Sequence, residues 1–309
     1  MKNLRKSFRI ILGVIGLVLV FWLFFSLLRF SFLKNLGKSW ELKDLINRAK
    51  EEEKKGEFYK AIEYLEKIDE NFGRNKMVYL SWLRLALLYE KTNRLLEAKK
   101  ILERVISQCD SGEIIQEAQK NLGNLNIKII LSPIVTENDF VYEVKEGDSL
   151  AKIAQHFNTT LELLKRANNL KEESLRAGAR LKVTKYKFSV LVDKSQNTLT
   201  LKADDKIVKI YTVSTGLNNV TPVGNFKIIN RIVNPVWYKE GRAIPPGDPE
   251  NILGSYWLGI SQKGYGIHGT TQPETIGKHI TQGCIRMYNQ DVEELYILLP
   301  LGTEVTIME

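Results

Sequence analysis

Two short segments near the end of the chain contain residue types that together could perform nucleophilic chemistry. The first is Ile267-His268-Gly269-Thr270, and the second runs from Thr281 to Met287 and contains Cys284. A free cysteine has a pKa of about 8.5, so a base or a positive neighbour has to supply its thiolate. Histidine titrates near neutral pH and suits that task. The sequence therefore predicts Cys284 as a nucleophile and His268 as its base.

Glycines flank both reactive side chains. Gly269 follows the histidine and Gly283 precedes the cysteine, where a residue without a side chain permits sharp turns and close substrate approach. The backbone N–H groups of Gly283 and Cys284 are candidates for stabilising a developing oxyanion. Arg286 adds a positive charge suited to that oxyanion or to a substrate carboxylate. Each signal is weak alone, and the combination indicates acyl transfer by a cysteine enzyme.

The region around these residues, 187–308, is predicted to be rich in β-strands. Alternating apolar and polar residues in 188–193, 198–203 and 206–214 are separated by turn residues, as in consecutive hairpins. This region resembles the YkuD-type catalytic domain of the L,D-transpeptidase family. The residues that carry the resemblance are Thr221-Pro222-Val223-Gly224, Phe226, Ile267-His268-Gly269-Thr270, Ile276-Gly277 and Gly283-Cys284-Ile285-Arg286-Met287.

The resemblance implies a sandwich-like β-rich fold and an acyl-enzyme formed on Cys284 from a tetrapeptide stem of peptidoglycan. The family releases the terminal D-alanine and transfers the acyl group to an amine on another stem. His268 is then the base, the backbone carbonyl of Gly269 fixes its tautomer, and Arg286 is the motif arginine. The neighbouring residues predicted to bind substrate are Thr281, Gln282 and Tyr265.

Gln282 departs from the family pattern, because many members have a histidine immediately before the Gly-Cys pair. His279, five residues before Cys284, is therefore an alternative base. Three functions remain open: transfer of the acyl group to an amine, hydrolysis by water as in an L,D-carboxypeptidase, and a wall-binding scaffold whose catalytic domain is inactive. The sequence contains no metal-ligand cluster, phosphate loop or dinucleotide motif, so no cofactor or metal is predicted.

Residues 141–184 are predicted to fold as a βααβ unit, after a linker at 131–140 that contains Pro133. Asp148 or Ser149 is expected to cap the first helix. The unit resembles a LysM domain through Val144, Gly147, Asp148, Ser149, Leu150, Ile153, Ala154, Asn168, Gly178 and Leu181. The resemblance implies binding of glycans that contain N-acetylglucosamine, such as peptidoglycan. The glycan-binding residues would be Gly147, Asp148, Ser149, Leu150, Asn168 and Leu170.

Residues 40–130 are predicted to form α-helical repeat hairpins, because apolar residues recur there at helical spacing. Ala49, Gly56, Ala61 and Leu65 recur 37 residues later as Ala86, Asn93, Ala98 and Leu102. With Trp82 and Tyr89, this pattern resembles a tetratricopeptide repeat, whose usual period is about 34 residues. The region is either a binding site for a peptide or protein partner or a helical spacer. Cys109 is expected to pack in this region and not to pair with Cys284.

Residues 10–28 form a run of 19 residues without a charge, long enough to cross a bilayer core of about 30 Å. The run ends in Arg29 without a small-residue cleavage site, which favours an uncleaved anchor over a signal peptide. The net charge is +9, but seven basic and no acidic residues precede Glu41, which leaves +2 for the rest. We read this excess as membrane topology and not as a nucleic-acid footprint. Residues 1–39 are thus predicted to be a cytoplasmic tail and transmembrane anchor that place all later residues outside the cytoplasm, facing the cell wall.

Overall fold

The computed structural model describes residues 22, 25–26, 29, 36–69 and 72–309. In this part of the chain, no helix is long and apolar enough to cross a membrane. The predicted anchor at 10–28 lies outside the described residues, apart from Trp22, Phe25 and Ser26. The chain divides into two compact units, Met1–Ala118 and Gln119–Glu309.

The first unit is helical, as predicted. Its helices are α1 (residues 36–54 of the described chain), α2 (Phe58–Glu66), α3 (Lys76–Lys91), α4 (Leu95–Gln108) and the first part of α5 (Gly112–Ile130). Asn75 begins α3, because its side chain accepts hydrogen bonds from the N–H groups of Met77 and Val78. Trp82 is buried in α3 and donates its indole N–H to the Ile68 carbonyl at 2.7 Å.

Positions that recur 37 residues apart play matching structural roles. Gly56 and Asn93 each lie between two helices with left-handed φ values of 81° and 60°, a conformation that glycine and asparagine tolerate best. The small residues at equivalent positions are at most 1% exposed: Ala49, Ala61, Ala86 and Ala98. The predicted helical region is confirmed, whereas its likeness to tetratricopeptide repeats stays a prediction. Cys109 is buried and unpaired, as is expected of a packed residue.

The second unit begins with the end of α5 and a short connection to a βααβ domain. Its elements are β1 (Asp139–Glu143), α6 (Leu150–His156), α7 (Leu161–Ala167) and β2 (Arg180–Thr184), with β1 and β2 paired antiparallel. Seven buried apolar residues form the core of this domain: Val144, Leu150, Ile153, Ala154, Leu164, Leu181 and Val183. The predicted order of elements is therefore confirmed.

The predicted linker at 131–140 is fixed to the βααβ domain by a buried lysine. Lys182 Nζ donates to the carbonyls of Ile129, Ile130 and Ser132 at 3.0, 3.2 and 2.8 Å, and it lies 3.7 Å from an oxygen of Asp139. The lysine and aspartate side chains are 2% and 4% exposed. Burial lowers the pKa of Lys182, and Asp139 opposes that change. A cation from β2 thus caps the C-terminal end of α5, where unpaired carbonyls favour positive charge.

The rest of the second unit is rich in strands. They are β3 (Phe188–Asp193), β4 (Thr198–Ala203), β5 (Lys206–Thr212), β6 (Thr215–Gly216), β7 (Gly224–Val233), β8 (Trp237–Lys239), β9 (Arg242–Ile244), β10 (Tyr256–Ile260), β11 (Gly266–His268), β12 (His279–Thr281), β13 (Ile285–Arg286) and β14 (Glu304–Met308), with helix α8 (Asn289–Leu298) before β14. Eight of them form one mixed sheet in the order β13-β11-β10-β7-β14-β3-β4-β5.

The ten-residue strand β7 joins two halves of this sheet. Its first four residues pair with β14, and its later residues pair with β10. Apolar side chains from both halves belong to one hydrophobic core, which includes Val190 and Leu201 from one half and Leu258 and Ile285 from the other. The predicted β-rich fold is confirmed, whereas its sandwich-like arrangement stays a prediction, because the eight strands form one continuous sheet.

The βααβ domain is packed against the strand-rich domain through helix α7. Leu163 and Ala167 on α7 belong to the hydrophobic core of the strand-rich domain, not to that of their own domain. Glu162 pairs with Arg231 of β7 at 3.0 Å, and the Thr160 hydroxyl donates to the Ile297 carbonyl of α8. These contacts hold the two domains of the second unit together.

Candidate active site

His268 ends strand β11 and is buried, with 3% of its surface exposed. Its Nδ1 lies 2.6 Å from the carbonyl oxygen of Gly269. Because a carbonyl can only accept, Nδ1 carries the proton and Nε2 keeps a free lone pair. The Trp257 ring stacks on the imidazole, with centroids 5.9 Å apart and planes inclined by 17°. The structure thus gives Gly269 the orienting contact that the sequence predicted for it.

Burial sets the charge of the imidazole. It lowers the pKa of His268 from 6.5 to about 4, because the charged ring would lose its hydration. A backbone hydrogen bond to Gly269 raises that pKa, the charge of Arg286 lowers it, and a backbone hydrogen bond to Leu253 raises it. His268 is therefore a neutral base throughout the neutral pH range.

Cys284 directly precedes β13, which pairs in parallel with β11. In that pairing His268 lies opposite Arg286, so Cys284 is two residues out of register with His268, on the adjacent segment and on the same face. Ile267 and Ile285, the other pair, are fully buried in the core, which leaves the opposite face of the strands to the reactive side chains. Cys284 is partly exposed and is not in a disulfide.

The thiol itself is in its protonated form at rest. Burial raises the pKa of Cys284, and this effect outweighs the Gly266 backbone hydrogen bond and the charge of Arg286, which both lower it. Its Sγ lies 3.7 Å from the carbonyl oxygen of Gly264, which accepts the thiol proton. Among the hydrogen bonds of the described residues, none joins this sulfur to His268. Apo sites often tighten such contacts only when substrate binds.

Thr281 and Gly283 fix the backbone around Cys284. The Thr281 hydroxyl donates to the Cys284 carbonyl at 2.7 Å and accepts the Gly283 N–H at 3.1 Å. Gly283 has a φ of +124°, and a Cβ there would lie 2.5 Å from the ring of Tyr265. The Gly283 N–H that the sequence offered to an oxyanion therefore already has a partner. Thr281 is 5% exposed with its hydroxyl used in both roles, so it supports the loop and has little surface for substrate.

Arg286 is a buried cation with weak pairing. One of its terminal nitrogens donates to Thr275 Oγ1 at 2.9 Å and lies 3.4 Å from Gln272 Oε1, while its buried Nε has no partner within the described chain. Its charge lowers the pKa of both Cys284 and His268. Arg286 thus favours a thiolate and opposes an imidazolium, and it retains a donor for an anion.

The other predicted site residues differ in their surroundings. Gln282 is exposed beside the cysteine, and Tyr265 is half-buried against Gly283, so both border the thiol. His279, the alternative base, uses both ring nitrogens elsewhere: Nδ1 lies 2.8 Å from Thr215 Oγ1 and Nε2 lies 3.2 Å from Asn197 Nδ2. The geometry favours His268 over His279 as the base.

Most side chains predicted to bind glycan have partners inside the βααβ domain. Ser149 caps α6, whereas Asp148 accepts from the Tyr142 hydroxyl and the Lys145 N–H, both at 2.8 Å. The Asn168 amide bridges α7 and β2 by bonding to the Leu164 carbonyl and to both backbone groups of Lys182. Leu150 is buried, Leu170 packs on the core, and Gly147 is exposed with a φ of 82°. These residues shape the loops, which leaves mainly backbone groups to face a ligand.

Comparison with known proteins identifies both domains of the second unit. A sequence model of the L,D-transpeptidase catalytic domain (YkuD) matches residues 187–307, and one of the LysM domain matches residues 142–184. YkuD of Bacillus subtilis (strain 168), a protein named as an L,D-transpeptidase, is 38% identical over 173 residues, which are 54% of this chain and 97% of that protein. The chain belongs to the L,D-transpeptidase family. This confirms the predicted enzyme class.

Two further known proteins are similar to parts of this chain. YqjB of Bacillus subtilis (strain 168), also named as an L,D-transpeptidase, is 40% identical over 126 residues, which are 39% of this chain and 70% of that protein. The solution structure of the catalytic domain from the E. faecium L,D-transpeptidase is 24% identical, with a TM-score of 0.33. Its match covers 39% of this chain and 96% of that domain.

Three residues of this L,D-transpeptidase site were missed by sequence reasoning. Trp257 stacks on His268, and the Leu253 carbonyl faces its ring. Asn289, the first residue of α8, holds the loop after the histidine: its Oδ1 accepts the Thr270 N–H at 2.9 Å and its Nδ2 donates to the Thr270 carbonyl at 2.8 Å. No local pattern marks any of them, because folding brings each from another segment to the histidine or to the loop that follows it.

Proposed function

We propose that this protein is a peptidoglycan L,D-transpeptidase in which Cys284 forms a thioester with a tetrapeptide stem and passes the acyl group to an amine. The observation that carries the proposal is the buried, neutral His268, oriented by the Gly269 carbonyl on the strand next to the cysteine. A neutral imidazole on the neighbouring strand can take the proton of a protonated thiol as the sulfur attacks, which is what general-base catalysis of cysteine acylation requires.

The reaction begins when Sγ turns from the Gly264 carbonyl toward His268. The thiol proton passes to Nε2 while the sulfur attacks the carbonyl carbon of the L,D bond, and the carbonyl oxygen becomes an oxyanion. The Cys284 N–H and the Arg286 guanidinium are the donors we assign to that oxyanion, because the Gly283 N–H is bound to Thr281.

Collapse of the oxyanion breaks the peptide bond and releases D-alanine, whose amine takes the proton from His268. The acceptor amine then attacks the thioester, His268 removes its proton, and the thiol is regenerated as the new amide forms. Gly269 stabilises the imidazolium in both steps, because its carbonyl accepts the Nδ1 proton. The charge of Arg286 lowers the pKa of His268, which favours return of the proton.

The proposal also places the enzyme at the membrane surface. Residues 10–28 anchor the chain, residues 1–9 remain in the cytoplasm, and the LysM domain binds glycan strands near the catalytic domain. The helices of 40–130 present a partner-binding surface or act as a spacer. Protease added outside intact spheroplasts should remove residues after 40 and spare the anchor, whereas full protection would contradict this topology.

The three functions left open by the sequence give different products from defined muropeptides with tetrapeptide stems. Transpeptidation yields cross-linked dimers, carboxypeptidase action yields tripeptides, and an inactive scaffold yields neither product. Mass analysis of the muropeptides distinguishes the three outcomes. A carbapenem should acylate the wild-type protein at one site and leave Cys284→Ala unlabelled. A label that persists in Cys284→Ala would refute the assignment of the nucleophile, and unchanged muropeptides would refute the enzymatic function.

A further inference from the structure

Three side chains beside the active-site loop form a closed ring of hydrogen bonds. Thr215 Oγ1 donates to Asn197 Oδ1 at 2.8 Å, and Asn197 Nδ2 lies 3.2 Å from His279 Nε2. His279 Nδ1 lies 2.8 Å from Thr215 Oγ1 and completes the ring.

Chemistry permits one set of donors and acceptors in this ring. The Asn197 Nδ2 group can only donate, so His279 Nε2 accepts and His279 Nδ1 carries the imidazole proton. The Thr215 hydroxyl accepts that proton and gives its own to Asn197 Oδ1. Asn197 Nδ2 also donates to the Gly277 carbonyl at 3.3 Å, which fixes the orientation of the amide. The hydrogen-bond ring therefore fixes the orientation of the His279 side chain, with both of its nitrogens in use.

The ring is anchored in rigid surroundings. Thr215 is 1% exposed and Asn197 is 7% exposed. Asn197 has a left-handed φ of 51°, and its carbonyl accepts the Val213 N–H at 2.8 Å. His279 is the exposed member, and it lies opposite Thr215 where β12 pairs in parallel with β6. The ring thus locks the first residue of β12 to a buried part of the catalytic domain.

A short path leads from this ring to the nucleophile. Thr281, two residues after His279 in β12, pairs with Gly216. Its hydroxyl binds the Cys284 carbonyl and the Gly283 N–H. Any shift of β12 relative to β6 therefore moves the backbone on which Cys284 is mounted.

We propose that His279, Asn197 and Thr215 are positioning residues that hold Cys284 in register with its base and with the bound acyl donor. This inference rests on the proposed function of Cys284 as the acylated nucleophile. His279 acts through β12 and Thr281, and it does not remove the thiol proton, because neither of its nitrogens is free to accept it. Misplacement of a reacting group by about 1 Å can cost on the order of a hundredfold in rate.

The test is the rate of Cys284 acylation at saturating carbapenem, followed by intact-protein mass spectrometry from pH 5 to pH 9 below the melting temperature. His279→Ala should slow acylation about tenfold to a hundredfold at every pH. His279→Gln should restore most of the rate, because its amide offers one donor and one acceptor to the ring. His156→Ala, which removes an exposed histidine from the LysM domain, should acylate like the wild type.

Thr215→Ser and Thr215→Val supply a second matched pair, and they decide the matter if His279→Ala does not fold. Serine keeps the hydroxyl that both donates and accepts, so it should acylate near the wild-type rate, while valine should be slow. Equal rates for Ala, Gln and wild type at position 279, with only the melting temperature changed, would overturn the inference. A pH profile in His279→Ala that loses its neutral plateau would also overturn it, because His279 would then be a base. If the wild-type protein is not acylated at all, the proposed function fails, and this inference fails with it.

Discussion

Replacement of His268 by glutamine should change how acylation depends on pH, and not only how fast it is. In the wild type, burial keeps the pKa of His268 at about 4, so the base is neutral from about pH 5 upward. The acylation rate should then be flat across the neutral range and fall tenfold per pH unit below about 4. The thiol does not need to ionise in advance, because its proton leaves during the attack.

In His268→Gln the reaction depends on spontaneous thiolate. Burial raises the pKa of Cys284 above the value of about 8.5 that a free thiol has. A free thiol is only about 3% ionised at pH 7 and the buried thiol less, so the variant should acylate on the order of a hundredfold more slowly than the wild type. The deficit should shrink about tenfold for each unit of rising pH, because the thiolate fraction rises by that factor.

The assay is carbapenem acylation measured by stopped quenching and mass spectrometry at pH steps from 4 to 10. Circular dichroism at each pH confirms that both proteins remain folded. A constant ratio between wild type and variant at all pH values would refute the reasoning, because loss of a base cannot give a pH-independent defect here. A wild-type rate that rises tenfold per unit through pH 6 to 9 would refute it as well, since the thiolate would then form before attack.

Three further outcomes follow from the same structure. Because the pKa of His268 is depressed to about 4, the unfolded state binds more protons than the folded state between pH 6.5 and 4. The contribution of His268 to the free energy of unfolding is therefore full above pH 6.5 and falls by about 3 kcal/mol as the pH drops to 4. Denaturant melts should show this loss, and His268→Gln should reduce it. Lys182→Ala leaves buried Asp139 and three buried carbonyls without their cation, so it should lower the free energy of unfolding by about 3–5 kcal/mol. In a double-mutant cycle, the same change should cost less when Asp139→Asn is already present. Gly283→Ala places a methyl group 2.5 Å from the Tyr265 ring at a φ of +124°, so the acylation rate should fall by at least about tenfold. Gly302 also has a positive φ, but no atom of the described residues lies within 4 Å of the position that a methyl group would take there, so Gly302→Ala is the control and should be acylated at the wild-type rate.

Periodic and turn signals predicted most of the fold because they act over short distances. Alternation in 188–193 and 198–203 coincides with β3 and β4, and the Ser149 cap and helical spacing coincide with α6. Gly56 and Asn93 marked two helix turns because each needs a left-handed residue. The order of strands in the sheet could not be predicted from the sequence. The last strand, β14, lies between β7 and β3, and no local pattern encodes that pairing.

The candidate site divides in the same way. His268 and Cys284 could be chosen as candidates because the motifs that contain them carry their own chemistry, whereas the role of the Gly269 carbonyl was implied by the family resemblance. The roles of Thr281 and Asp148 could not be predicted, because a polar side chain in a motif is equally able to bind ligand or to satisfy its own loop. The structure shows the second use for both. The Thr281 hydroxyl donates to the Cys284 carbonyl, and the Asp148 carboxylate accepts the Lys145 N–H. His279 is a similar case, since the sequence offered a base and the structure shows both ring nitrogens engaged.

The site is built so that burial, and not a permanent ion pair, sets the state of the catalytic pair. Burial lowers the pKa of the imidazole and raises that of the thiol, so both groups are uncharged at rest. An ion pair formed in advance would need two buried charges at a free-energy cost, whereas a neutral pair separates charge only as the sulfur attacks. Arg286 and the Gly269 carbonyl then stabilise opposite products of that separation, the thiolate and the imidazolium. In the proposed mechanism, substrate draws Sγ away from Gly264, so the rate depends on the position of the Cys284 backbone, which the Thr281 hydroxyl holds.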